Sequence, residues 1–541
     1  MRILTKKRWL AIAMAIVSVF GFQSATSLKA ADPVIVVSIT NVDQLLSDVD
    51  YLMESTGTSQ FKGFFMPVIE GYLNGIDRTK PIGAALYLDQ GEFTPLVFVP
   101  VTDLDGFLKG IEGQVGEPKD AGGGVMQLRG PQPLFVKEKG GWAYVGQNVK
   151  SLDSVPNNPI EVLDGLNKAY TIGVRAYIEN LPDAYREMAI AKLGEFMKQN
   201  AADEKAEAMV DVQLKDLRKA LTGSEQLAFG WKIDSKGKST YFETAVKVKA
   251  GTEFASQVDQ ARNIKTNYSG FIVPGAAVSA SMTGVIPEDQ IGLQLAQIDS
   301  FEETALGEID DDDSIEDDAV RDGAKKLVSG VFDVIRDTLK SGKLDAGMSV
   351  ILEDGAFAIA VGGYVADGAK VEMLVKDTVE LARNDSDLEF SKLNLDAGKH
   401  AGANIHELSL PIPEDEYVGE ALGGELDVCL GASKNDVYLV VGSDATEKMK
   451  KMIDKSKSAG AVKSQPVSLV VKAAPILRFA HAMEGKEPLG AIADMLESEG
   501  NDHVRINVNI VDNDITYRFQ IEEGILKAIG KAVAMSRSGG F

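Results

Sequence analysis

The sequence predicts an α+β protein made of two tandem, diverged copies of one unit, each an antiparallel sheet with helices packed on one face. Three observations predict this. Short apolar runs are separated by Gly-, Asn- and Asp-containing turns of hairpin length. Apolar stripes at helical spacing recur between them, as in Tyr185, Met188, Ala189, Leu193, Phe196 and Met197, or Val210, Leu214, Leu217 and Leu221. Five landmarks then appear twice in the same order, at offsets between 264 and 296 residues.

The chain opens on a basic cluster, Arg2, Lys6, Lys7 and Arg8, followed by the almost wholly apolar run Trp9–Phe22 and then the small residues Ala30 and Ala31. That is the tripartite order of a secretory signal, and the run is shorter than the roughly 20 residues of a spanning helix. Residues 1–30 are expected to be a signal peptide, cleaved after Ala30 or Ala31. The mature chain is then exported, to the periplasm, the cell surface or the medium. No later stretch is dense enough in apolar residues for a membrane span, so no integral span is expected after cleavage. The precursor carries a formal charge of −24, and removing residues 1–30, with five basic groups and no acid, takes it to −29. Such a field repels nucleic acid and anionic headgroups, favours solubility and is expected to attract divalent cations weakly. With 541 residues, 45% of them apolar, the chain can bury more than one core. Cys429 is its only cysteine, so no intrachain disulfide forms, and the apolar run Leu426–Leu430 around it predicts a buried, inert thiol.

The landmarks run as follows. Leu88–Phe93 corresponds to Leu352–Phe357, each a strand, an acidic Gly turn and a strand. Val101–Thr102–Asp103 corresponds to Val365–Ala366–Asp367, and each Asp stands where a helix N-cap would accept free amides. Lys139–Gly146 matches Lys434–Gly442, a turn entering an apolar strand that ends at Gly. Strands Ile172–Ile178 and Val467–Val471 lead to Pro182 and Pro475, residues suited to a helix's first turn. Trp231–Phe242 matches Asn509–Phe519, and helical patterns follow from Thr252 and Glu523. The units are therefore placed at 32–267 and 276–535, with a linker at 268–275, an acidic insertion at 302–322 in the second unit and a flexible tail at 536–541. Self-repulsion predicts a solvated loop for the acidic insertion. Val365–Lys370, His406–Pro411, Leu439–Gly442 and Pro475–Leu477 together resemble a group of uncharacterised exported proteins of planctomycete-type bacteria. That resemblance implies export and a double unit, and carries over no catalytic residue.

Motifs for chemistry are scarce. The four histidines, His400, His406, His481 and His503, include no pair at zinc-ligand spacing, and His406–Glu407 has Leu410 where a zincin helix needs its second histidine. No catalytic residue, cofactor or metal ligand is assigned from this pattern. Gly237–Lys238–Ser239–Thr240 ends like a phosphate loop but lacks the first glycine, with Lys232 in its place, and reads as a hairpin turn. Gly442–Ser443–Asp444 lacks the full nucleophile-elbow pattern, and Ser443 is expected to cap the helix that follows. Asp310, Asp311, Asp312, Asp313, Glu316, Asp317 and Asp318 form a weak candidate Ca2+ loop that fits no EF-hand register. The expected function is a non-catalytic binding or structural protein of the bacterial cell envelope. The alternatives are a carrier of an apolar ligand in a sheet–helix groove, lined by runs such as Leu96–Val99 and Ile359–Val361, and a hydrolase with a carboxylate or metal site.

Overall fold

The computed structural model describes residues 32–89, 91–129, 133–200, 204–312, 317–353, 356–383, 390–412 and 424–537. The signal segment 1–31 lies outside them. The chain divides into two compact units, up to Lys249 and from Ala250 onward. Both are α+β, with hydrogen-bonded strands that pair antiparallel throughout.

Among the described residues of the first unit, ten strands are Pro33–Asn41, Pro81–Asp89, Glu92–Pro100, Lys119–Gly122, Val125–Arg129, Pro133–Lys139, Trp142–Gly146, Ile172–Tyr177, Ser224–Asp234 and Ser239–Val248. Counted by chain position, they lie side by side as 4-5-6-7-3-2-1-8-9-10. Pro33–Asn41 shows why it is a strand: Val34, Val36, Ser38 and Thr40 are buried while the alternate residues are half-buried. Asn41 then starts helix Val42–Ser55 by accepting the Gln44 amide. The first hairpin turns at Gly91, whose φ of +89° admits glycine readily.

The described residues of the second unit likewise hold ten main strands: Val278–Val285, Lys343–Glu353, Ala356–Tyr364, Lys392–His400, Ala403–Pro411, Glu425–Ala432, Asp436–Gly442, Val467–Lys472, His503–Val511 and Asp514–Glu522. Counted the same way, their order is again 4-5-6-7-3-2-1-8-9-10. A separate two-strand ladder joins Lys265–Thr266 to Val462–Lys463. Segment 268–275 lies inside this unit: it holds the short helix Ser269–Phe271, and Tyr268 and Phe271 are buried against Tyr438.

Helices pack on both faces of each sheet, which corrects the expectation of helices on a single face. Adjacent strand residues point to opposite sides, and each side finds a partner. In the first unit Tyr144 packs with Phe98, Leu163 and Leu166, whereas its neighbour Ala143 packs with Phe107, Leu108 and Ile111 of helix Leu104–Val115. In the second, Ile405, Cys429 and Val440 pack with Met449, Met452 and Ile453 of helix Ala445–Ala459. Asn404, one residue before Ile405, meets helix Gly368–Arg383 on the other side.

Two helical segments also differ from the sequence expectation. The stripe on helix Asp183–Gln199 leaves Met188, Leu193 and Phe196 exposed, because Ile190 and Gly194 face inward instead and Gly194 receives Leu214 of helix Glu204–Thr222. The acidic segment is helical at both ends rather than a loop, since helices Glu288–Asp311 and Asp318–Lys340 run into it. Its repulsion is offset by cations: Arg336 pairs with Asp299 and Glu302, Lys325 with Asp310, and Arg321 donates to the carbonyls of Ile309 and Asp310 at the first helix's C-terminal end. The last helix, Glu523–Arg537, takes in Ser536 and Arg537 from the segment expected as a tail. No helix among the described residues is long and apolar enough to cross a membrane.

Candidate functional site

The described residues hold one group of three metal-ligating side chains in reach of one another: Glu372, Asp396 and His406, with their ligand atoms within 4.8 Å. They come from three elements. Asp367 accepts the Ala369 amide at the head of helix Gly368–Arg383 and so fixes the turn that presents Glu372. Strand Ala403–Pro411 places Ile405 in the core and therefore His406 on the opposite face, beside that helix. Asp396 sits where the ladder between Lys392–His400 and its neighbour loses register, between Asn394 and Gly398, and has φ +60°. A bulge of this kind re-aims a side chain that a regular strand would send elsewhere.

The contacts form a closed network around Lys376. Its ammonium donates to Glu372 Oε1 at 3.0 Å and to Asp396 Oδ1 at 3.1 Å. Asn404 Nδ2 donates to Glu372 Oε2 at 2.9 Å. His406 Nδ1 accepts the Asp396 backbone amide at 3.1 Å, which leaves the ring proton on Nε2. His406 is 2% exposed, and its Nε2 has no hydrogen-bond partner; it faces Glu372 Oε1 at 3.8 Å. Hydrogen bonds from Asn404 and then Lys376 hold the Glu372 carboxyl below its ordinary range. The Glu372 and Asp396 carboxylates in turn raise Lys376. Burial lowers the His406 imidazole, against the pull of both carboxylates, so the ring is held neutral. Chemically this is one imidazole nitrogen and two carboxylates around a cation.

The other sequence-level candidates do not converge. His400 pairs with Asp454, His481 with the Lys486 carbonyl and His503 with Glu522. Cys429 is fully buried, and burial raises its thiol, so it packs as a small apolar residue. Gly237–Lys238 turns between strands Ser224–Asp234 and Ser239–Val248, with no helix for a phosphate. Ser443 is not the helix cap expected of it: Asp444, at φ +54°, holds that position, and Ser443 Oγ instead bonds the Phe357 backbone. Of the acidic loop, Asp310 pairs with Lys325, Asp317 caps helix Asp318–Lys340 through the Ala319 amide, and Asp313 and Glu316 lie outside the described residues. In the first unit a surface cleft of 560 Å³ includes Asp43, Asp50 and Arg78, but Arg78 pairs with Asp43 at 2.8 Å and Lys62 with Asp50 at 2.6 Å.

Sequence spacing missed the triad because 34 residues separate Glu372 from His406 and a bulge aims Asp396. One signal was present. Glu372 is the fifth residue after the capping Asp367, and the fifth after the matching Asp103 is Leu108. No protein-family model matches the chain, nor does any curated protein or solved structure.

Proposed function

We propose that the chain is an exported, non-catalytic binding protein of the bacterial cell envelope, built from two diverged copies of one α+β unit. The shared strand order and the five landmarks at matching positions support duplication. The N-terminal basic–apolar–small pattern supports export. The binding reading is carried by one observation: large apolar side chains stay open on the last strands of each unit. Phe229 and Phe242 are 54% and 52% exposed, and Phe242 stacks on Trp231 at 5.7 Å. In the second unit Tyr517 is 48% exposed, and Ile506 pairs across the ladder with Phe519, both also exposed. Covering one such side chain is worth about 1.5–3 kcal/mol, so these strips favour an occupant over water.

Fractionation of cells expressing the full precursor, with N-terminal sequencing, tests the location. The expected product begins after Ala30 or Ala31 and is found outside the cytoplasm; an uncleaved cytoplasmic chain overturns the reading. The same strips favour a second, narrower reading, a carrier of an apolar ligand. Native mass spectrometry of protein from its own cells then finds a retained lipid-like molecule, and Phe242→Asp or Phe519→Asp loses it.

A further inference from the structure

We propose that Glu372, Asp396 and His406 form a site for a divalent transition-metal ion, which enters by displacing the Lys376 ammonium. The donor set is one imidazole nitrogen and two carboxylate oxygens from three elements of the second unit. An imidazole with carboxylates suits Zn2+, Co2+, Ni2+ or Mn2+ better than Ca2+ or Mg2+, which prefer all-oxygen shells.

An acidic pair beside a lysine is by itself an ordinary ion-pair network. The independent observation is His406. Its ring is 2% exposed, and Nε2 has no hydrogen-bond partner while facing Glu372 across 3.8 Å. A buried polar atom left unsatisfied costs about 1–3 kcal/mol, and a coordinate bond to Nε2 would satisfy that atom. The fold does not demand these polar groups. In the first unit the helix after the third strand and the fifth strand contribute Leu108 and Leu128 to one apolar cluster. The second unit buries a histidine between its corresponding helix and strand.

The exchange balances charge. Two carboxylates, a neutral imidazole and the ammonium sum to −1, and replacing the ammonium by a divalent ion brings the site to zero. Bonds of about 2.0–2.2 Å put tetrahedral donors roughly 3.3–3.6 Å apart, so the three groups must draw together. Coordination through Nε2 also requires the ring proton to shift to Nδ1, which releases the Asp396 amide. The unpaired stretch between Asn394 and Gly398 is where the backbone can yield. Lys376 is thus a placeholder that holds the carboxylates together when no metal is bound.

Co2+ titration of the mature chain, with Mg2+ in large excess to occupy the acidic surface, tests this by visible absorption. The expected result is a saturable band at one ion per chain, bleached by Zn2+. His406→Gln should weaken binding at least tenfold, as loss of a ligand does. Lys376→Met should tighten it at least tenfold by removing the competing cation. His406→Gln retains a polar side chain, and circular dichroism confirms that each variant is folded. Absence of a saturable band in both the wild type and Lys376→Met overturns the proposal, as does a band that persists unchanged in His406→Gln.

Discussion

At the scale of single residues, local backbone needs and burial account for most identities. Gly442 ends its strand at φ +123°, and a Cβ there would lie 2.0 Å from the Phe357 carbonyl oxygen. Gly442→Ala should therefore destabilise by more than about 2 kcal/mol, read as a lower denaturant midpoint. Its role was legible, because both matching strands end at Gly. Tyr268 was placed in a linker by its Gly- and Pro-rich neighbours, yet it is 2% exposed and donates to Asp436 at 2.7 Å. Burial, and then that hydrogen bond, raise its phenol above the ordinary value of 10.0. The unfolded phenol ionises near that value and the folded one does not. Stability from Tyr268 is thus complete below pH 10 and is lost as pH rises beyond it. Tyr268→Phe should cost about 1.5–3 kcal/mol at neutral pH, the worth of a hydrogen bond to a charged group, and flatten the alkaline fall in thermal midpoint.

At the scale of elements, caps and hairpin turns were readable because their chemistry is local. Asp103 and Asp367 each accept the amide two residues on, as their position before an apolar stripe predicted. Asp103→Ala and Asp367→Ala should each cost about 1 kcal/mol, with an unchanged denaturant slope. What a helix packs against was less legible. The stripe on Asp183–Gln199 carries several large apolar residues, but a small one, Gly194, admits the neighbouring helix closely enough for Leu214 to sit on it. Close approach beat side-chain size, and periodicity does not report it. The acidic segment misled for a similar reason. Arg336 lies 34 residues from Glu302 and neutralises it only because two helices pack together. Arg336→Met should lower the melting temperature, and the loss should shrink as salt is raised.

At the scale of the whole molecule, two units of like strand order each pack helices on both sheet faces and leave apolar side chains open on their last strands. Phe242→Asp and Phe519→Asp should each cost up to about 2 kcal/mol, through the lost aromatic or cross-strand contact, and leave the protein folded at room temperature. Both should still reduce uptake of an apolar fluorescent probe.

The sequence by itself determined the α+β class, hairpin turns such as that at Gly91 and the helix caps at Asp103 and Asp367, since each rests on residues within a few positions of one another. Only the tertiary structure decided which helices cover which face, where the acidic helices find their counter-charges, and that Glu372, Asp396 and His406 meet. Those outcomes depend on strand alternation, a bulge and groups brought together from distant parts of the chain, and no local pattern of residues encodes such distances.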